Sequence, residues 1–192
     1  KLCRQGIGLQ NCTNLFEKET VITYNSYMAS SRPIFLSYVR NFIFGVEDSL
    51  VSTVGLLAGL STADVGRGDI ITAGVILIFV EAFSMGSGSF LSERSIEESS
   101  PKQSGGVRSV VDAVVMFVSY FLAGLIPLFP YIFWQPAAAF PISIIFTLLA
   151  LLTLGLLSAK ILHTKLLRSA VRMFVIGGVA VFIGVMVGAV LK

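Results

Sequence analysis

The stretch Phe42-Ile43-Phe44-Gly45-Val46-Glu47-Asp48-Ser49-Leu50-Val51-Ser52-Thr53-Val54-Gly55-Leu56-Leu57-Ala58-Gly59-Leu60 decides the fold. Its length matches the ~20 mostly apolar residues a helix needs to cross a bilayer. It does not alternate apolar with polar residues, so it is not a barrel strand. Four further runs share this character, at residues 70–91, 110–133, 137–162 and 173–191. None reads as a cleaved signal peptide, because the first apolar run starts late and continues too far. The expected fold is therefore an all-α integral membrane protein with five transmembrane helices.

Composition points the same way. The chain has 192 residues, of which 55% are hydrophobic and 13% charged, and its mean hydropathy is +0.85. Soluble domains carry roughly 25% charge. A water-soluble globule of this length could not hide so much apolar surface. A soluble enzyme, a disordered chain and a small disulfide-stapled secreted domain are all excluded. The net charge of +3 fits basic loops beside a membrane. No Lys/Arg run alternates with aromatics, so nucleic acid is not an expected partner. Cys3 and Cys12 are too far apart for a CxxC motif and read as incidental.

Basic residues set the orientation. With a cytoplasmic N-terminus, Lys1, Arg4, Lys18, Arg32, Arg40, Arg94, Lys102, Arg108, Lys160, Lys165, Arg168 and Arg172 lie inside. Only Arg67 and Lys192 lie outside. The positive-inside rule then puts the N-terminus in the cytoplasm and the C-terminus on the opposite side. A bacterial or archaeal plasma membrane and a vacuolar membrane satisfy this equally.

Residues 1–37 form a polar N-terminal segment ahead of a transmembrane domain at 38–192. Residues 1–27 lack periodicity and contain no Met before Met28, so a natural start at Met28 is expected. Asn11-Cys12-Thr13 fits a glycosylation acceptor, but the expected cytoplasmic side argues against its use. The connections at 61–69, 93–109 and 134–136 are too short for a second domain. Pro101, Gly105 and Gly106 break the second of these. An odd span number forbids two equal inverted halves, so a homodimer is the natural way for so small a bundle to enclose a pathway.

Acids inside a bilayer are functional candidates by default. Asn41, Gly45, Asp48 and Ser52 share one helical face, and Glu47 points about 100° away. In the second span Glu81, Met85 and Ser89 stack at i+4. Opposed, the two faces would offer carboxylates, an amide, hydroxyls and one thioether. Such a set binds divalent cations, with a thioether favouring softer metals over Mg²⁺ or Ca²⁺. The carboxylates could take up protons as the metal leaves. The alternatives are interhelical hydrogen bonds or carboxyl groups buried in neutral form for Asp48 and Glu81, plain packing for Met85, and a pairing with Arg40 or a neighbouring subunit for Glu47. Glu93, Glu97 and Glu98 carry the second helix into the cytoplasm, where they either collect cations or form an ordinary solvated helix end. Gly55/Gly59 and Gly184/Gly188 are GxxxG pairs, a weak sign of close helix approach. Pro127 and Pro130 predict a kink or early end of the third helix. An enzyme is not expected: the only histidine, His163, is on span four, far from Ser87, and no span holds a buried Lys.

The motifs carry a family resemblance. Residues 38–56, Tyr38-Val39-Arg40-Asn41-Phe42-Ile43-Phe44-Gly45-Val46-Glu47-Asp48-Ser49-Leu50-Val51-Ser52-Thr53-Val54-Gly55-Leu56, resemble the first helix of vacuolar iron transporter family proteins. Ser84-Met85-Gly86-Ser87-Gly88-Ser89-Phe90-Leu91-Ser92 resembles their second helix, and Ala123-Gly124-Leu125-Ile126-Pro127-Leu128-Phe129-Pro130 their third. The resemblance implies a five-helix homodimer that exports Fe²⁺, and often Mn²⁺, from the cytosol in exchange for protons, along its dimer interface. It implies no permanently bound cofactor, the metal being the transported substrate. Asp48 and Met85 match the family's pathway acid and helix-two methionine. Ser89 departs from the usual SMAxGEY motif, standing where its Glu would be, and Asn41 stands where members often carry an acid. Glu81 is a candidate to restore the charge at another height. The long Glu-rich cytoplasmic insert of many members is missing between helices two and three. The alternative function is a membrane protein of the same fold that is inactive, a scaffold, or a carrier of another cation.

Overall fold

A computed structural model describes the backbone of residues 9–99, 106–162 and 165–192, and the side chains of 35–98, 106–162 and 165–192. The side chains of Cys3, Asn11, Cys12, Met28, Pro101, Lys102, Gly105 and His163 lie outside the described residues, as do those of Lys1, Arg4, Lys18 and Arg32. The chain divides into residues 1–39 and residues 40–192. Five helices follow one another: α1 (Leu9–Thr62), α2 (Arg67–Ser99), α3 (Val107–Phe133), α4 (Pro136–Ile161) and α5 (Leu166–Leu191). Each contains a segment long and apolar enough to cross a membrane.

The turns explain where helices stop. After α1, Asp64 adopts a positive φ of 57°. The last helical bond runs from the Ala63 N–H to Gly59 at 3.0 Å, and the Asp64 conformation then lets the Val65 N–H reach back to the Leu60 carbonyl at 3.1 Å. Asp is one of the few non-glycine residues that tolerates it. Helix α2 continues past its apolar run to Ser99, with Glu93, Glu97 and Glu98 on the extension that the sequence implies. Its polar last turns are buried against their neighbours: Glu93 is 5% and Glu97 7% exposed.

In helix α3 the prolines bring no early end, and the expected bound at Phe133 holds. The helix passes through Pro127 and Pro130. Proline removes N–H donors and leaves carbonyls without intrahelical partners. The carbonyls freed here are those of Ala123 and Ile126, and neighbours bond to other carbonyls of the same region. Ser143 of α4 donates to the Pro127 carbonyl at 2.6 Å. Arg67, at the start of α2, donates from Nε to the Tyr131 carbonyl at 2.9 Å and from its guanidinium to Ile132. A cation at a helix C-terminus also opposes the negative end of its dipole.

Two apolar clusters hold residues 40–192 together. Leu57, Ile70, Ile78, Leu128, Tyr131 and Ala139 join α1 to α4 through α2 and α3. Leu50, Ala123, Leu151, Leu154 and Met173 join α1, α3, α4 and α5. Between α1 and α5 the contact is backbone on backbone. A Cβ on Gly184 would collide with the Gly55 carbonyl, and one on Gly188 with the Gly59 carbonyl. In the other direction, a Cβ on Gly59 would come within 3.0 Å of the Gly184 oxygen. The two weak GxxxG signals are thus the two halves of one interface. Lipid gives helices no hydrophobic reason to associate, so close backbone approach supplies the contact. Large apolar side chains such as Phe79, Phe83, Leu122 and Phe182 face outward, as a bilayer solvent permits.

A candidate cation site between α1, α2 and α3

The site is built in two storeys. The deeper one centres on Tyr120 of α3, whose side chain is fully buried. Ser49 donates to the Tyr120 carbonyl at 2.6 Å and fixes its backbone. The Tyr120 hydroxyl donates to the Glu81 carboxylate. Ser52 Oγ lies 2.7 Å from the same hydroxyl. Because the phenol spends its one proton on Glu81, Ser52 must be the donor there. Asp48 lies one turn from Ser52, within electrostatic reach of both Glu81 and Tyr120. Asp48, Glu47 and Glu81 are all half-exposed on the single chain. Glu47 lies within electrostatic reach of Arg172 of α5 and of Asp48.

The outer storey centres on Asp112 of α3, which is wholly buried. Asn41 Nδ2 donates to Asp112 Oδ1 at 2.8 Å and to Ser89 Oγ at 3.3 Å. Arg108 Nε stands 3.9 Å from Asp112 Oδ2. Arg108 and Arg40 both approach Glu93, each at 3.7 Å. Ser109 donates to Glu97 at 2.7 Å, and Glu98 pairs with Arg94 on the surface at 2.9 Å. A cavity of about 600 Å³ opens here, lined among others by Arg40, Asn41, Met85, Ser89, Glu93 and Met116.

The sequence-derived candidates therefore separate. Asp48 and Glu81 lie within electrostatic reach of each other, Asn41 and Met85 line the cavity one storey out, and Glu47 lies within reach of Arg172 as well as Asp48. Glu93 and Glu97 are not a solvated helix end, since both are buried against arginine or serine partners; Glu98 is solvated. Among the described residues, no three His, Cys, Asp or Glu side chains converge as a preformed metal cluster. The sequence-derived candidates include no site residue on the third helix. Asp112, Met116 and Tyr120 are spaced i+4 and all face the site. The signal was present in Val110-Val111-Asp112-Ala113-Val114-Val115, where an acid interrupts an apolar run. It falls near the predicted start of a span, where a charge attracts less notice.

Helical length, an apolar exterior and polar groups gathered between three helices define a multi-pass membrane protein with an internal polar site. The chain belongs to the VIT family, whose model matches residues 39–108 and 96–189. It is similar to vacuolar iron transporter 1 of Eucalyptus grandis, with 26% identity over 203 residues, covering 74% of this chain and 82% of that one. The Arabidopsis thaliana protein called vacuolar iron transporter 1 is also 26% identical over 203 residues, covering 74% and 81%. A shorter match, to vacuolar iron transporter 1 of Tulipa gesneriana, reaches 43% over 60 residues, covering 31% and 24%. The alignments of 203 positions exceed the 192 residues of this chain, so those relatives carry residues it lacks. The two family segments meet at 96–108, the connection from α2 to α3.

Proposed function

We propose that the protein is a proton-coupled transporter of Fe²⁺ or Mn²⁺, exporting metal from the cytosol through a homodimer interface. The observation that carries this reading is the Asp48–Glu81 pair, two half-exposed carboxylates inside the span of α1 and α2 and braced by Tyr120. Two carboxylates balance one divalent cation or two protons, so exchange of one for the other leaves the site neutral. Facing lipid they would be costly; a second copy of the chain would cover them and enclose water. Relatives named iron transporters support the choice of metal. The N-terminus is assigned to the cytoplasm by the excess of basic residues at the end that carries Arg40, Arg94 and Arg108. Metal enters there, passes Asn41 and Met85, reaches Asp48 and Glu81, and leaves as protons replace it. The break in the family match at α2–α3 supports a short form without a cytoplasmic metal-collecting insert, and Glu93 and Glu97 serve the outer storey instead. Both a vacuolar and a prokaryotic plasma membrane fit this direction. Neutral Asn41 and Ser89, hydrogen-bonded to each other, favour the second reading of a fold retained without metal transport.

The test is Fe²⁺ and Mn²⁺ flux in proteoliposomes, with and without an imposed pH gradient. The expected outcome is gradient-driven flux that Asp48→Asn reduces at least tenfold while the protein stays folded and dimeric. Folded protein that moves neither metal would overturn the reading, and loss of the dimer in the variant would make Asp48 structural.

A further inference from the structure

The two storeys differ in chemistry, and the outer one fits a different ion. Its cavity holds two thioethers, Met85 of α2 and Met116 of α3. They stand at one level of the bundle. A Cβ on Gly86, next to Met85, would meet the Ala113 carbonyl and Phe117 at 3.2 Å, and Phe117 follows Met116. A Cβ on Gly45 would come within 3.1 Å of Met116 Sδ. Glycine at position 45 therefore makes room for that sulfur beside α1. Asn41 shares the cavity. A carboxylate can only accept, so Asp112 draws the Asn41 NH₂ group toward itself. With that group given to Asp112 and Ser89, the Asn41 carbonyl oxygen is the atom left to face a guest. The remaining polar lining is hydroxyl, apart from Arg40 and Glu93, which pair with each other, Glu93 meeting Arg108 as well. The two thioethers are thus soft, neutral donors beside neutral oxygens, in contrast to the carboxylates below. Thioether ligands select soft cations such as Cu⁺ over hard divalent ones.

We propose that the cavity between α1, α2 and α3 is a second cation site, in which Met85 and Met116 act as a thioether pair with the Asn41 carbonyl for a soft monovalent cation of the Cu⁺ type. It rests on the reading of this region as a cation pathway but uses residues apart from Asp48 and Glu81. The probe is Ag⁺, a closed-shell soft cation, in chloride-free buffer. The full-length chain carries Cys3→Ser and Cys12→Ser so that thiols do not capture the metal. Equilibrium dialysis should find one Ag⁺ per chain. Met85→Leu with Met116→Leu should weaken binding at least tenfold, Met116→Leu alone severalfold, and Met186→Leu, an exposed methionine, not at all. No binding, or binding undiminished by the double substitution, overturns the proposal. Silver absorption-edge scattering on the protein with its methionines intact decides the matter even where the double variant does not fold: two sulfur neighbours are expected, and one or none refutes the pair. Asp48→Asn should bind Ag⁺ unchanged. Fe²⁺ flux without Ag⁺ binding sinks this proposal alone; Ag⁺ binding without Fe²⁺ or Mn²⁺ flux sinks the transport reading alone.

Discussion

Helix α1 meets its neighbours in two unlike ways. Over Asn41 to Ser52 it joins α2 and α3 through side-chain hydrogen bonds, to Asp112, Ser89 and Tyr120. Over Gly55 to Gly59 it joins α5 with almost no side chain at all. Both solve the same problem. In a bilayer apolar side chains are no better off against each other than against lipid, so association needs polar glue or close backbone packing. Polar glue leaves room for a cavity and for exchangeable groups. Glycine packing leaves none, and it gives a rigid seam against which the polar half can work. Site and scaffold are thus adjacent segments of one helix.

The contrast can be broken most severely at the seam. Gly184→Leu drives a side chain into the Gly55 carbonyl. No rotamer change relieves a clash with backbone, so the overpacking penalty should exceed about 3 kcal/mol. The expected result is loss of the monodisperse peak in size-exclusion chromatography. Survival of that peak with an unchanged melting temperature would mean that α1 and α5 do not depend on this contact.

On the polar half, Asp112→Ala strands the Asn41 amide without its acceptor and removes the charge opposite Arg108. Removing one partner of a buried pair costs about 3 kcal/mol, and thermal unfolding in detergent should show it. The same measurement on Asp112→Asn should give a smaller loss, because an amide keeps a hydrogen-bond acceptor for Asn41.

Tyr120→Phe keeps the ring and removes the hydroxyl that links Glu81 to Ser52. A lost hydrogen bond to a charged group is worth about 1.5–3 kcal/mol. If Tyr120 serves the site, metal flux should fall about tenfold, equivalent to ~1.4 kcal/mol in an equilibrium or barrier, with the dimer intact. A drop in melting temperature at unchanged flux would assign it to the scaffold instead. The smallest effect is expected at the surface. Asp64 pairs with Lys192 in full view of solvent, so Asp64→Asn should shift stability by less than about 1 kcal/mol. Since Asp64 also holds the turn at positive φ, Asn is the substitution that isolates the charge.

How far the sequence could be read differs between these regions. Asp48 and Glu81 stand out because an acid within an apolar run has few innocent explanations. Asp112 has the same signature yet sits by a span boundary, where acids are common. Tyr120 and Met116 look like ordinary lining of a membrane helix, and only the neighbours they meet mark them. The prolines of α3 left a kink and an early end open for a related reason. Their local effect is to end a helix, but Ser143 and Arg67, far away in sequence, bond to the carbonyls around them. Glu93 and Glu97 follow the apolar run of α2 and so read as solvated, whereas Arg108 and Ser109, across the connection, bury them.

The sequence by itself determined the number of helices, their approximate length and the apolar exterior. Those follow from the thickness of a hydrocarbon layer and the need to satisfy every backbone N–H and C=O internally. It also marked which acids were out of place. Tertiary structure alone decided that the two GxxxG pairs meet each other, that Asp48 comes within electrostatic reach of Glu81 and Glu47 within that of Arg172, and that a third helix supplies Tyr120, Asp112 and Met116. The reason is physical: a hydrogen bond or a backbone clash depends on ångström-scale proximity between residues tens of positions apart, and helical periodicity fixes only the face each side chain occupies.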